Sequence, residues 1–121
     1  MVVGTKTEIG TGEKNTADLV SAMGDTAFIQ ESGGVKTIYA AKVCADYTGG
    51  GYDDWFLTSR DELNLMYHNL KEQGLGDFTS AVYWSSSEYH GDFALNQYFV
   101  KGIQDFYIRS MAYKIRPVRA F

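Results

Sequence analysis

The last third of the chain, residues 83–121, constrains the fold more than any other stretch because it is built from short segments of strand-forming residues. It opens with Tyr83–Tyr89 and closes with Ile115–Phe121, and the run between these ends follows no simple period. We predict strands at 82–84, 93–99, 104–109 and 112–121, with a turn at Gly102. The spacing of these segments predicts an antiparallel meander. Pro117 cannot donate a hydrogen bond to a strand partner, so it marks an edge or a bulge in the last strand.

The clearest helix signal precedes this region. Ser59 and Glu62 fit the S-x-x-E capping box, in which each side chain satisfies the backbone N–H of the other residue. The apolar residues that follow recur at helical spacing and predict a packed face running to about Gln73. They are Leu63, Met66, Tyr67 and Leu70. Gly74 is the expected end of this helix.

Two shorter helices are predicted in the first half of the chain. Asn15 or Thr16 can cap a helix that runs to about Met23, with Gly24 as its end. A second helix is expected from Thr37 to Tyr47, followed by a turn at 48–51. Residues 27–36 indicate two extended pieces about a Gly-Gly turn, and 52–57 indicate a turn leading into a buried strand.

Length predicts one domain, residues 1–121, and composition favours an α+β or a β fold. The chain contains 13 glycines but one proline, and 15% of its residues are aromatic. Frequent glycines and aromatic residues without long apolar runs favour a loop-rich fold over a helical bundle. Helices are predicted early in the chain and strands late, an order that agrees with the α+β class.

Charge argues against several classes of partner. The net charge is −4, which gives no electrostatic support for nucleic-acid binding. Residues 83–121 carry five basic and three acidic side chains, a balance too weak to indicate an anionic ligand. No segment is apolar enough to predict membrane insertion, and the N-terminal residues do not match a signal peptide.

Candidate reactive groups are few. Cys44 is the single cysteine, which excludes an internal disulfide, and we interpret it as a small buried apolar residue rather than a reactive thiol. The hydroxyls of Ser85–Ser87 are expected to bond backbone groups, since a serine nucleophile would need a positioned base. The histidines are His68 and His90, and His68 is expected to be a surface or structural residue. We therefore expect no catalytic residue and no enzyme activity.

Three charged positions allow more than one interpretation. Asp53 and Asp54 could bind a structural Ca²⁺, but we favour a turn in which they cap their own backbone, so no cofactor is expected. Arg116 and Arg119 are expected to pair with carboxylates such as Glu88 or Asp61 and so fix the C-terminus. Anion binding is the alternative for these two arginines.

Three blocks of the sequence together resemble one known family. They are Gly51–Leu63, Tyr83–Tyr89 and Arg116–Phe121. The pattern resembles the DUF1566 domains, which also occur at the C-terminus of a Legionella collagen-like adhesin and are related to the formylglycine-generating-enzyme type of C-type-lectin-like fold. The resemblance implies two to three helices packed on a twisted antiparallel sheet. Members often carry further N-terminal sequence, so it also implies an N-terminally trimmed domain or a first strand supplied by another subunit.

The resemblance implies a recognition or adhesion domain on a bacterial or phage surface, with a protein or glycan ligand on a cell surface. Some lectin-fold proteins with this type of tail are diversified by retroelements on their exposed ligand face, and residues 90–111 look similar. The expected binding residues are His90, Asp92, Phe93, Leu95, Lys101, Ile103, Asp105, Phe106, Tyr107, Ile108, Arg109 and Met111. Val100 belongs to the same stretch. The expected structural residues are Ser59, Glu62, Trp55, Trp84, Glu88, Arg116 and Arg119.

Three alternatives stay open at this stage. Bulges could shift the strand register and place residues 90–111 in the core. The domain could be a structural or oligomerisation module, such as the trimeric head of a fibre. An oxidase of the formylglycine-generating type would need paired cysteines, whereas this chain has only Cys44.

Overall fold

The computed structural model describes residues 4–23, 37–90, 93–108 and 113–120 and shows an α+β fold. Its helices are α1 (Gly12–Met23), α2 (Thr37–Asp46) and α3 (Arg60–Asn69). Its strands are β1 (Phe56–Leu57), β2 (Val82–His90), β3 (Phe93–Tyr98), β4 (Ile103–Ile108) and β5 (Pro117–Val118). Single turns of 3₁₀ helix lie at Gly49–Gly51 and Lys71–Gln73. Gly24 and residues 27–36, for which a helix end and a Gly-Gly turn were predicted, lie outside the described ranges.

The predicted antiparallel meander is confirmed for three strands. Strands β2, β3 and β4 are neighbours in that order, and the β3–β4 register runs from Phe93 opposite Ile108 to Tyr98 opposite Ile103. Gly102 lies in the turn between β3 and β4 with a φ of 74°, a left-handed conformation that favours glycine. Between β2 and β3 the register shifts twice, between Trp84 and Glu88 and again before His90.

The prediction that the last segment, 112–121, continues the meander is wrong. Lys114 lies beside Tyr83 in a parallel bridge, on the edge of β2 that β3 leaves open. Farther along, Pro117 and Val118 pair with Leu57 and Phe56 in a separate two-stranded sheet. The buried strand β1 needs a partner for its backbone groups, and the C-terminal segment supplies it.

Helix α1 begins earlier than predicted. The N–H of Asn15 donates to the carbonyl of Thr11 over 2.9 Å, so Asn15 and Thr16 lie inside the helix rather than at its cap. Both residues are buried and make tertiary contacts instead. The Asn15 amide accepts from the N–H of Lys6 and donates to its carbonyl, and the Thr16 hydroxyl bonds both backbone groups of Leu57.

The capping box of α3 is confirmed. Ser59 Oγ accepts from the N–H of Glu62, and Glu62 Oε1 accepts from the N–H of Ser59 over 2.8 Å. Glu62 Oε2 also accepts from the N–H of Gly10, and Ser59 Oγ donates to the carbonyl of Glu8. The α-helix ends at Asn69, four residues before Gln73, and the 3₁₀ turn continues the chain to Gly74. The capping box therefore also anchors the loop that leads into α1.

The described residues form two hydrophobic core clusters. One packs α3 on the three-stranded sheet through Leu63, Tyr67, Tyr83 and Phe99. The other packs α2 on β1 through Ala40, Cys44 and Leu57. Cys44 is fully buried, as predicted, and burial raises the pKa of its thiol to about 12. A thiol with that pKa stays protonated and unreactive at neutral pH.

The buried serines Ser85–Ser87, which we call the serine hub, join four parts of the chain. Ser85 Oγ donates to Leu95 in β3, and Ser86 Oγ donates to the carbonyl of Thr58. Ser87 Oγ donates to Lys6 and accepts from the first N–H of α3, at Arg60. The predicted backbone bonding of these hydroxyls is therefore confirmed.

The N-terminal segment is held next to the hub by Glu88. One carboxylate oxygen, Oε1, accepts from the N–H groups of Gly4 and Thr5, and Thr5 Oγ1 accepts from the N–H of Glu88 over 2.7 Å. Glu88 is thus structural, as expected, but its partner is the N-terminal segment.

Arg119 pairs with a carboxylate, as predicted, and that carboxylate belongs to Asp54, whereas Arg116 bonds backbone carbonyls. Arg119 forms a two-pronged pair with Asp54, at 2.7 and 3.0 Å, and its guanidinium lies 3.5 Å from the ring centre of Tyr52. Arg116 donates to the carbonyls of Gly76 and Asp77 and covers the ring of Phe78. Both residues do fix the C-terminal segment. They do so through the loops before β1 and after α3, because that segment runs beside β1.

Candidate functional site

The exposed apolar surface of the described chain is concentrated around the β3–β4 hairpin. Seven of the twelve large hydrophobic side chains that are exposed lie between residues 89 and 107. They are Tyr89, Phe93, Tyr98, Val100, Ile103, Phe106 and Tyr107. Single exposed hydrophobic residues are common on proteins, whereas a concentration on one element indicates an interaction surface.

Strand register divides the predicted binding residues between two faces of the hairpin. Cross-strand partners point to the same side of a sheet, and successive residues point to opposite sides. Phe106, opposite Leu95, therefore shares a face with Phe93, whereas Asp105, opposite Asn96, lies on the other face with Ile103 and Tyr107. The sequence stretch that resembled one surface is two surfaces.

The first surface, which we call the aromatic patch, consists of Tyr89, Phe93 and Phe106. The rings of Tyr89 and Phe106 stack with centres 4.0 Å apart and an angle of 10° between their planes. Phe93 meets Phe106 edge-on at 5.8 Å. All three side chains are more than a third exposed, so the patch offers a rigid apolar surface to solvent. Tyr89 lies outside the predicted binding stretch, 90–111, yet its ring belongs to this surface.

The second surface, which we call the tyrosine groove, lies on the opposite face. Its volume is about 250 Å³, and its walls are Tyr98, Tyr107, Tyr113, Ile103 and Asp105, with Asn96 beneath them. The rings of Tyr107 and Tyr113 stand at 75° to each other with centres 5.9 Å apart. Tyr113 also packs against the buried Trp84, which fixes one wall of the groove to the core.

Asn96 has an orphan donor at this groove. Its side chain is 2% exposed, and its Nδ2 atom has no hydrogen-bond partner among the described residues. A second orphan atom, Oε1 of Gln97, lies on the other face, where the Gln97 Nε2 group donates to Asn64 of α3 and to the carbonyl of Gly102. Buried polar atoms without partners are few in native proteins, so each needs a physical explanation.

Electrostatics of the groove favour neutral or hydrogen-bonding partners over anions. Burial raises the pKa of Tyr113, and the nearby Tyr107 and Asp105 raise it further. Tyr113 therefore keeps its proton at physiological pH and can donate a hydrogen bond. Asp105 is exposed, and its Oδ1 accepts from the N–H of Phe106.

The remaining predicted binding residues are distributed as follows. Leu95 is half-buried on the face of the aromatic patch, and Lys101 is exposed in the hairpin turn. His90 and Ile108 end β2 and β4, and their side chains lie outside the described part of the structure. Asp92, Arg109 and Met111 lie outside the described ranges altogether.

A third concave surface lies away from the hairpin and was not predicted. This cleft has a volume of about 470 Å³ and is lined mainly by apolar and aromatic side chains, including Tyr47, Trp55, Met66 and Phe78. Arg116 and Arg119 close one side, each already bonded to the loop after α3 or to Asp54. Trp55, expected to be structural, is half-buried there and donates to the carbonyl of Gly49.

The other candidate reactive residues have ordinary structural contacts. His68 is exposed and bonds Glu72 one helical turn later, which confirms its prediction as a surface residue. Asp54 binds Arg119, and that hydrogen bond lowers the pKa of the carboxyl group. Within the described ranges no group of three or more metal-ligating side chains was found.

Residues missed by sequence reasoning are Asn96, Tyr98 and Tyr113. Tyr98 and Asn96 alternate along β3, so the strand period could have placed them on one face. Tyr113 could not have been found in this way, because it reaches the groove from a segment that crosses to the far edge of β2.

Comparison with known sequences gives no direct indication of function. A search with the sequence found neither a matching protein family nor a matching curated protein. Among the described residues, no helix is long and apolar enough to cross a membrane.

Proposed function

We propose that this chain is a non-catalytic ligand-recognition domain whose binding surface is the β3–β4 hairpin. The observation that carries the proposal is the concentration of exposed aromatic side chains on that hairpin, above a core that fixes its base. Rigid aromatic side chains provide contact area at low entropy cost, which is why they are common in binding surfaces.

The rest of the molecule supports a division of labour. Phe99, directly after β3, is fully buried against Tyr67 and Tyr83, so the turn of the hairpin is anchored. The aromatic patch and the tyrosine groove lie on the strands that this anchor positions. Preorganised surfaces of this kind lose little entropy on binding.

The resemblance described above extends this proposal. It implies a lectin-like fold on a bacterial or phage surface, a protein or glycan on a cell surface as the ligand, and retroelement diversification of residues 90–111. Sequencing this locus in related strains would test the diversification. Substitutions concentrated in codons 90–111 would support it, and an even distribution along the chain would contradict it.

Binding of the isolated domain to arrays of cell-surface proteins and glycans tests the recognition function. We expect at least one bound ligand, with binding lost in Phe106→Ala and Tyr107→Ala. Leu65→Ala is the matched control, because Leu65 is an exposed apolar residue on α3. Binding that survives both hairpin variants would contradict this site.

A second candidate function is oligomerisation, as in the head of a fibre. The stacked Tyr89 and Phe106 favour it, because an exposed rigid apolar patch can also be an interface between copies of the chain. Light scattering decides between the two functions. A stable trimer that dissociates in Phe106→Ala would favour oligomerisation, and a monomer would favour recognition.

A further inference from the structure

We propose that the tyrosine groove binds a saccharide unit, with Asn96 as the hydrogen-bond donor and Asp105 as the acceptor. The inference rests on the proposed recognition function and adds the class of ligand and the face that binds it. Of the aromatic patch, the tyrosine groove and the cleft, only the groove combines apolar walls with a buried donor that has no partner among the described residues.

The donor that lacks a partner belongs to the side chain of Asn96. Asn96 Nδ2 is buried at the groove without a partner, and a buried amide that lacks its hydrogen bond destabilises the folded state. A ligand that supplies an oxygen there would restore the bond. The groove is polar at this point and large enough to admit such a group.

The carboxylate of Asp105 supplies an acceptor near this donor. Asp105 lies opposite Asn96 in the β3–β4 register, so a donor and an acceptor face the same space from neighbouring strands. Adjacent hydroxyls of a sugar ring can accept from an amide and donate to a carboxylate at the same time. An anion would be repelled by Asp105, and an alkylammonium ion would leave Asn96 without an acceptor.

The tyrosine rings supply apolar walls for the groove. A sugar ring has an apolar face of C–H groups, and an aromatic ring in the wall of a site can cover such a face. Tyr107 and Tyr113 present two walls at a steep angle, and Tyr98 and Ile103 continue the apolar lining. The protonated Tyr113 hydroxyl adds a further donor. The volume of about 250 Å³ suits one sugar ring rather than a long segment of peptide.

The same Asn96 that would bind the ligand is a cost to the free protein. Replacing an unsatisfied buried amide with an apolar group of similar size is nearly neutral or stabilising. Asn96→Leu should therefore fold at least as stably as the parent chain while losing its ligand. A residue with a purely structural role would show the opposite pattern.

The experiment is a titration followed by two-dimensional NMR. The probes are the methyl glycosides of glucose, galactose, mannose and N-acetylglucosamine, with choline as an ammonium probe. We expect at least one glycoside to shift the amide signals of Asn96, Asp105 and Tyr107. Asn96→Leu and Tyr107→Ala should weaken that binding by about tenfold or more, the equivalent of about 1.4 kcal/mol. Leu65→Ala, which changes an exposed apolar residue of α3, should bind the glycoside as the parent chain does.

Three results would overturn the proposal. They are no shift with any glycoside, shifts that persist in Asn96→Leu, or shifts at the groove with choline alone. Failure here is distinguishable from failure of the recognition function. If the array ligand still binds through Phe106 while no glycoside binds the groove, the recognition function stands and the saccharide site is wrong.

Discussion

The serine hub and the β3–β4 hairpin differ in whether their buried polar groups have hydrogen-bond partners and in how much apolar surface they expose. At the hub, three buried hydroxyls bond the N-terminal segment, the loop before α3 and strand β3. On the hairpin, aromatic rings face solvent, and one buried amide has a donor without a partner among the described residues. A satisfied polar network fixes one structure, whereas exposed apolar area and an orphan donor are costs that a ligand can remove.

This difference teaches where substitutions should affect stability and where they should affect binding. The two regions lie on neighbouring strands, β2 and β3, so distance along the chain does not separate them. Burial and hydrogen bonding do. Substitutions in the two regions should therefore differ in their effect on the free energy of unfolding.

The largest difference is expected between two phenylalanines of the hairpin. Phe99→Ala removes a fully buried ring that packs on Tyr67 and Tyr83, and should cost about 3–5 kcal/mol of stability. Phe106→Ala removes a ring that is 40% exposed and should cost about 1 kcal/mol. Urea denaturation of both variants measures the difference. Equal losses would mean that the aromatic patch is part of the core.

Gly12→Ala should lower the free energy of unfolding by about 1–3 kcal/mol through overpacking. A Cβ atom at position 12 would lie 2.9 Å from the backbone nitrogen of Ser59 and 3.0 Å from the carbonyl oxygen of Leu57, and would also collide with the Glu62 carboxylate. Thermal denaturation measures the loss. Glu13→Ala, at the next and exposed position, is the control and should change stability little.

Ser59→Ala should cost about 1–2 kcal/mol, because it removes the cap of α3 and the bond to Glu8. Ser80→Ala is the matched control, since Ser80 is exposed in a loop. Urea denaturation compares the two. A loss no greater than that of the control would show that the capping box contributes nothing beyond local propensity.

The smallest effect is expected for the surface pair of Asp54 and Arg119. The bond to Arg119 lowers the pKa of Asp54 below its ordinary value of 3.8, so the unfolded chain binds the proton more tightly than the folded chain does. The stabilisation by this pair is therefore complete above the ordinary pKa and is lost as the pH falls through the lowered value. Melting temperatures of the parent and Asp54→Asn should differ at pH 7 and converge below pH 3.8. A difference that stays constant with pH would contradict this assignment.

Several elements followed from the sequence because their signals are local. The capping box at Ser59 and Glu62, the apolar positions Leu63 and Tyr67, and the strands at 82–84 and 93–99 depend on neighbours in the chain. The burial of Cys44 also followed, because a small apolar residue on a helix face has few alternatives. The α+β class follows from the same local signals.

Pairing between distant parts of the chain could not be predicted from local sequence patterns. Asn15 and Thr16 have the side chains of helix caps, yet they lie inside α1 because Lys6 and Leu57 offer buried backbone groups to bond. Arg119 pairs with Asp54 because the C-terminal segment returns to β1, a path that no local pattern specifies.

The candidate site divides in the same way. Sequence alone indicated that residues 90–111 carry exposed apolar side chains, and the described part of that stretch does so at Phe93, Ile103, Phe106 and Tyr107. Sequence could not say that these residues form two surfaces, because the face of a strand residue depends on the register with its neighbour. The register also brought Asn96 opposite Asp105, and a segment from the far edge of the sheet brought Tyr113 beside Tyr107. Local propensity thus determined which elements form, and strand pairing determined which side chains meet.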